Sequence, residues 1–375
     1  MFNSFDFPPS PFFRPLFSCV TGSFILKYTN VDALIMYYDN KINSLKQIFG
    51  TDEICLGKDA LVVRSKVYPI IDDVIILSER GKYTEKVKKI LGVASSDGSY
   101  PDFSKDVQDT FGKEWVKYSE IIPSHREEFA QYFDIVDIES LRGRRACDLG
   151  CGIGRFSYFL KDVCGEIMLV DFSDAVFEAR RNLAGRENCL FFMGDISDLP
   201  FCANYADFLF CLGVLHHLPT DALDEVRKLK KYSPRVLVYL YYALDNKPFY
   251  FKWILAGVTF LRRALSRSRS VFLRTLIPPL AARFVYFPLV LIGSVLDRFK
   301  MSGLVPLYDS YRGKGIKRTE QDVYDRFFTP IEQRFERRDI MKLKDSFDSV
   351  TVSDKVPYWH FLCQARESAA VAGRA

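Results

Sequence analysis

Residues 146–155 read Ala-Cys-Asp-Leu-Gly-Cys-Gly-Ile-Gly-Arg. A short apolar run ending in Asp148 delivers Gly150, Gly152 and Gly154 straight into a stretch of helical composition, Arg155 to Val163, which predicts a strand, a tight turn and a helix start. Glycine tolerates positive φ and lets a ligand lie against bare backbone. Unpaired amides at a helix N-terminus favour electron-rich groups. The predicted unit is a nucleotide cradle. Twenty-one residues after Gly150, the apolar run Ile167 to Val170 ends in Asp171, the spacing at which a second strand presents a carboxylate to a ribose diol.

Two cofactor classes use that layout, and the glycine pattern separates them. The dinucleotide fingerprint Gly-x-Gly-x-x-Gly needs glycine at 155, where this chain has Arg155. Asp148 with the loop Gly150-Cys151-Gly152-Ile153-Gly154 resembles motif I of the class I S-adenosylmethionine-dependent methyltransferases, and the downstream sequence resembles the type 11-like members that act on small molecules and lipids. The likeness runs over about 112–245 and, more weakly, 308–364. It implies S-adenosyl-L-methionine as cofactor. Asp148, Gly150, Cys151, Gly152, Gly154, Asp171 and Phe172 then belong to the binding site. Asp195 and Ile196, at the third strand end, match the acid and the backbone amide that meet adenine, and Leu212 walls the methionine end. Trp115, in the approach segment before motif I, is a lid candidate, with packing on the sheet as its other reading.

Strand-like runs end at Asp148, Val170, Met193, Cys211 and Tyr241, with helix-like stretches between them. That alternation predicts an α/β fold. The expected architecture is a Rossmann-like, seven-stranded, mostly parallel sheet with helices on both faces, plus a small N-terminal β-containing domain and a helical insertion. Five regions are predicted: 1–103, an N-terminal region holding the β-unit and a linker; 104–247, the methyltransferase core; 248–300, a basic aromatic insertion; 301–366, the rest of the core; and 367–375, a frayed tail. The β-unit around Val67-Tyr68-Pro69-Ile70-Ile71 is similar to the end of a zinc-ribbon-like module, but Cys55 stands alone where paired cysteines are expected, so no metal is predicted.

Methyl transfer from a sulfonium is an in-line displacement that needs alignment and exclusion of water more than covalent help. An acceptor bearing a proton also needs a base, and histidine titrates near neutrality. His216 and His217, after the fourth strand, are candidates for base or acceptor positioning; bonding backbone around the turn is their other role. The family brings a return segment over the acceptor, making Tyr308, Tyr311 and Arg312 candidate substrate contacts. Thr319 is read there as an N-cap with Asp322 at the third helical position.

The chain's 375 residues carry a net charge of +5, unevenly spread. Between Pro248 and Lys300 stand nine Lys or Arg against the single acid Asp297, a local charge of +8 that leaves −3 for the remainder. The protein as a whole is therefore not a basic nucleic-acid binder, and no nucleic acid is expected as partner. The insertion's longest uncharged run, Phe284 to Leu296, is 13 residues and contains Pro288. That falls short of the ~20 residues needed to cross a bilayer. Two readings remain: cap helices with solvated arginines, or helices lying on an anionic membrane surface. Nine cysteines without ligand spacing and a non-basic start predict a cytoplasmic protein with reduced thiols, with or without peripheral membrane association. The expected activity is methyl transfer to a small-molecule or lipid-like acceptor. The rival readings are a non-catalytic S-adenosylmethionine-binding scaffold and an NAD-dependent oxidoreductase.

Overall fold

A computed structural model describes residues 36–93, 108, 119–268, 270–329 and 331–365. The lid candidate Trp115, the linker and the tail lie outside these residues. Among the described residues one sheet of eleven strands orders the chain. Its core is β5 (Arg145–Leu149), β6 (Glu166–Asp171), β7 (Cys189–Met193), β8 (Phe208–Leu212) and β9 (Arg235–Tyr239), all parallel. The C-terminal hairpin of β10 (Ser349–Val352) and β11 (Phe361–Gln364) adds antiparallel strands beside β9. These seven run β7-β6-β5-β8-β9-β11-β10. The central strands β7 and β8 are apolar throughout and buried at every position because both sheet faces are covered there. Sheet order reverses at β5, so the crevice beyond the carboxyl ends of β5 and β8 is the switch point at which such sheets bind ligands.

The N-terminal β-unit does not stand apart as a separate domain. Strands β1 (Ile54–Leu56), β2 (Ala60–Val63), β3 (Lys66–Ile71) and β4 (Val74–Ile76) continue the same sheet, with β4 pairing in parallel to β7. The physical reason is the edge of β7: an apolar strand with unpaired backbone groups needs a cover. Tyr37 and Tyr38 tie the segment down through hydroxyl hydrogen bonds of 2.8 Å to the Cys189 carbonyl and 2.7 Å to the Asp73 carbonyl. Leu45 and Ile48 of helix Ile42–Phe49 are fully buried in the core.

The insertion forms two helices, Phe249–Ser266 and a longer one that runs unbroken from Val271 to Asp297. This second helix exceeds the length inferred from its uncharged run. Pro278 and Pro279 do not end it, and a π-turn over Ala282–Tyr286 resets the hydrogen-bond register just before Pro288, which has no N–H to give. The return helix Ile316–Phe328 also starts earlier than predicted. Gly315 is its N-cap, and Thr319 lies inside the first turn with its hydroxyl donating to the Gly315 carbonyl. Asp322 is claimed by Arg318, one turn back, and by Lys314, which favours starting the helix a turn sooner.

Candidate active site

A cavity of about 340 Å³ opens at the carboxyl ends of the parallel strands. At its floor the loop after β5 turns through three left-handed glycines, with φ of +75° at Gly150, +53° at Gly152 and +73° at Gly154. A Cβ on Gly150 would stand 2.3 Å from Val214 Cγ2, so bare backbone lets this loop meet the one after β8. Gly154 has a different use: a Cβ there would press on Leu169 and Ala179 at 3.1 and 3.2 Å, so it sets helix against strand and does not line the cavity.

Asp171 accepts a 2.8 Å hydrogen bond from the Gly152 amide and, at its other oxygen, bonds from the Ser173 amide and hydroxyl. Burial pushes its carboxyl above the ordinary value, against those bonds. Asp148 is buried beneath the loop, accepts from the Ser157 hydroxyl at 2.7 Å, and is raised by burial to about 7. Cys151, Phe172, Ile196 and Leu212 also line the cavity. Burial drives the Cys151 thiol well up, leaving it unreactive. Asp195 caps the short helix Ile196–Asp198 and accepts 2.8 Å from Lys82. Burial alone would raise it, but the bonds from Lys82 and Ser197 prevail and hold it below the usual carboxylate range.

Lys82 has no signal in the sequence. It comes from the N-terminal strands' side of the sheet, and Gln108 reinforces it by donating to the Lys82 and Phe172 carbonyls at 3.2 and 2.7 Å. Only the joining of β4 to β7 brings these groups to the adenine end of the predicted cradle.

Beyond the cradle the cavity widens into a chamber walled by Tyr132, Tyr239, Tyr241, Tyr242 and Tyr311. Five cations and three acids line this end. Glu128 takes Arg155 at 2.9 Å and Arg318 at 2.8 Å; burial works to raise it, yet the two guanidiniums carry it well below the ordinary carboxylate range. Lys314 meets Asp322 at 3.2 Å, and Arg334 meets Glu332, just behind the wall, at 2.6 Å. Arg326 is hydrogen-bonded to the Tyr286 hydroxyl, with Tyr311, Glu332 and Tyr241 also near it; Asp325 is the remaining acid on the wall.

The histidine pair divides. His217 lines the cavity; its Nδ1 lies 2.8 Å from the Ile331 carbonyl, so Nδ1 carries the proton and the lone pair is on Nε2. Burial lowers it to about 4. His216 lies behind the wall, stacked on Tyr241 at 3.9 Å between ring centroids, with neither ring nitrogen hydrogen-bonded and burial holding it well below its ordinary value. Both rings are neutral at pH 7, so neither is a strong base. Of the substrate candidates, Tyr311 is in the wall, Arg312 lines an adjoining cavity of about 370 Å³, and Tyr308 is turned away beneath Gly293 of the insertion.

These histidines set an acid limit on stability. The folded His217 pKa is below the unfolded one, so its contribution is complete above about 6.5 and is lost as pH falls toward about 4, where the unfolded chain binds the extra proton. Wild type should lose on the order of 3 kcal/mol over that window from this residue alone. Urea titrations at pH 7 and 4.5 should show a smaller loss in His217→Gln; an equal loss would remove the assignment.

Residues 147–236 match a family model described as a methyltransferase domain. The matched segment contains the glycine loop, Asp171, Asp195 and Leu212. No curated protein matches the chain. Among solved structures, a putative methyltransferase from Bacillus halodurans is 18% identical with a TM-score of 0.31, over 37% of this chain and 60% of that one. The magnesium protoporphyrin IX methyltransferase of Synechocystis, with bound S-adenosylhomocysteine, is 17% identical at 0.33, over 77% and 98%. Human N-acetylserotonin methyltransferase, in complex with S-adenosylmethionine, is 14% identical at 0.40, over 75% and 62%. The chain spans less than two thirds of the Bacillus and human proteins.

Proposed function

We propose that the protein transfers a methyl group from S-adenosylmethionine to a small-molecule or lipid-like acceptor carrying an anionic group. The observation that supports this most is one cavity joining the glycine cradle to a chamber of tyrosines with Arg326 in its wall. The residues present fit the donor. Gly150, Gly152 and Asp171 line the floor of the cavity, where the diol is expected, and Asp195, on the wall at the expected adenine position, is held ionised by Lys82 and Ser197. When bound, S-adenosylmethionine supplies a methyl group on a sulfonium with a neutral thioether as leaving group. The chain's part is to orient the acceptor against it and keep water out. An oxidoreductase reading has less support, since Arg155 stands where the dinucleotide fingerprint needs glycine and is held there by Glu128.

Arg326 is the residue assigned to the acceptor's anionic group. A guanidinium remains charged when buried and pairs with carboxylate or phosphate through a planar fork. Aryl hydroxyls around it add donors that are sequestered from bulk water. With methyl-labelled donor and fractionated cell extract, label should enter an acidic acceptor. Arg326→Gln should raise the acceptor KM at least about tenfold, the loss of a charged hydrogen bond, while affinity for S-adenosylhomocysteine stays unchanged. Equal KM values in the two proteins would refute the role of Arg326. Absence of any transfer by protein that binds the donor would favour a scaffold.

A further inference from the structure

We propose that the two insertion helices seat the protein on an anionic phospholipid bilayer, lying in its plane with their outward faces among the acyl chains. Helix Val271–Asp297 has 27 residues and a mean hydropathy of 1.7 in its most apolar stretch, of which only 17% is buried in the protein. A core helix of that composition would be covered. Phe272, Leu276, Leu280, Phe284, Phe287 and Leu291 recur every three or four residues along one outward stripe. Phe249, Trp253 and Phe260 form a matching stripe on Phe249–Ser266. The six aromatic residues of the two stripes are 57–79% exposed. At ~200 Å² per aromatic side chain they alone show water on the order of 800 Å² of apolar surface, beyond the ~300–600 Å² of the largest patch on a typical monomer.

The opposite face fixes the orientation. Helix Ile316–Phe328 packs across both insertion helices. Arg262 donates to the Thr329 carbonyl at 2.8 Å, Arg283 pairs with Glu320 at 2.6 Å, and Arg274 lies over the Phe328 ring. A helix with charged partners along one side cannot cross the hydrocarbon core surrounded by lipid, but it can lie at the interface with its free side down. Charge selects the surface. No acid occurs from Phe249 to Leu296, while Arg263, Arg267, Arg298 and Lys300 are exposed around the apolar stripes, suited to anionic headgroups. Tyr286, on the covered side of the same helix, meets the Tyr311 ring at 4.8 Å, so docking brings the acceptor chamber within one helix layer of the bilayer.

The test uses the full chain and vesicles of phosphatidylcholine with 30% phosphatidylglycerol, against phosphatidylcholine alone. The protein should cosediment at least about tenfold more strongly with the anionic vesicles. Lipids brominated on their acyl chains should quench tryptophan emission, and Trp253→Phe should remove most of that quenching. The triple change Phe272→Asp, Phe284→Asp, Leu291→Asp should abolish sedimentation while leaving S-adenosylhomocysteine affinity intact, which shows the fold survives. Sedimentation of the triple variant at the wild-type level, or absence of acyl-chain quenching, would overturn the proposal. So would a stable dimer that hides Trp253 and ignores vesicles, since a second copy would then cover this face.

Discussion

Gly150→Ala should lower S-adenosylhomocysteine affinity at least a hundredfold while the sheet remains folded. The residue sits at φ +75°, where an L side chain costs about 1–2 kcal/mol. Its new Cβ would also lie 2.3, 3.1 and 3.2 Å from Cγ2, Cγ1 and Cβ of Val214. Val214 is β-branched and has little freedom to rotate away. The loops after β5 and β8 must part, at a further ~1–3 kcal/mol of overpacking, and these two loops form the floor and one wall of the cavity. A second change supplies the control. Val214→Ala in the same protein removes the two nearest atoms and should recover about tenfold of the affinity by calorimetry. No recovery would mean that the backbone strain alone is responsible.

Asp171→Ala should be about as severe, for a different reason. Its carboxylate holds the Gly152 amide and the Ser173 turn, and the same group faces the cavity. Truncation leaves the buried Gly152 N–H without its partner, costing roughly 1–3 kcal/mol, and removes charge-assisted bonds to a ligand diol worth roughly 1.5–3 kcal/mol. Together these predict a loss beyond a hundredfold. Asp171→Asn retains one acceptor oxygen of the two and should fall between wild type and Ala. If Asn and Ala were both within threefold of wild type, Asp171 would be no part of the ligand site.

The cradle was legible because it is local. Three alternate glycines, the strand before them and Asp171 at the next strand end state their geometry in the sequence, and the core strand ends lie within two residues of those predicted. The chamber was not legible. Arg326, Tyr239 and Tyr241 carry no motif, and only the packing of Ile316–Phe328 beside the sheet turns them to one cavity. Lys82 was hidden for a similar reason, because its link to Asp195 depends on β4 extending the sheet, and nothing in a single sequence specifies which edge a hairpin will cover. The length of Val271–Asp297 is hidden in the sequence because Arg283 ends the uncharged run and Pro288 inside that run counts against a long helix. The ion pair to Glu320 and the π-turn remove both. Tyr308 shows the reverse error: its place in the return segment suggested the substrate, but its ring fills the notch at Gly293.

Titration calorimetry of the unmodified protein with S-adenosylmethionine, S-adenosylhomocysteine and NAD in turn addresses the main claim most directly. One molecule of S-adenosylhomocysteine per chain, bound in the micromolar range or tighter, with no heat from NAD, is the predicted result. Heat from NAD with none from either sulfur ligand would contradict it.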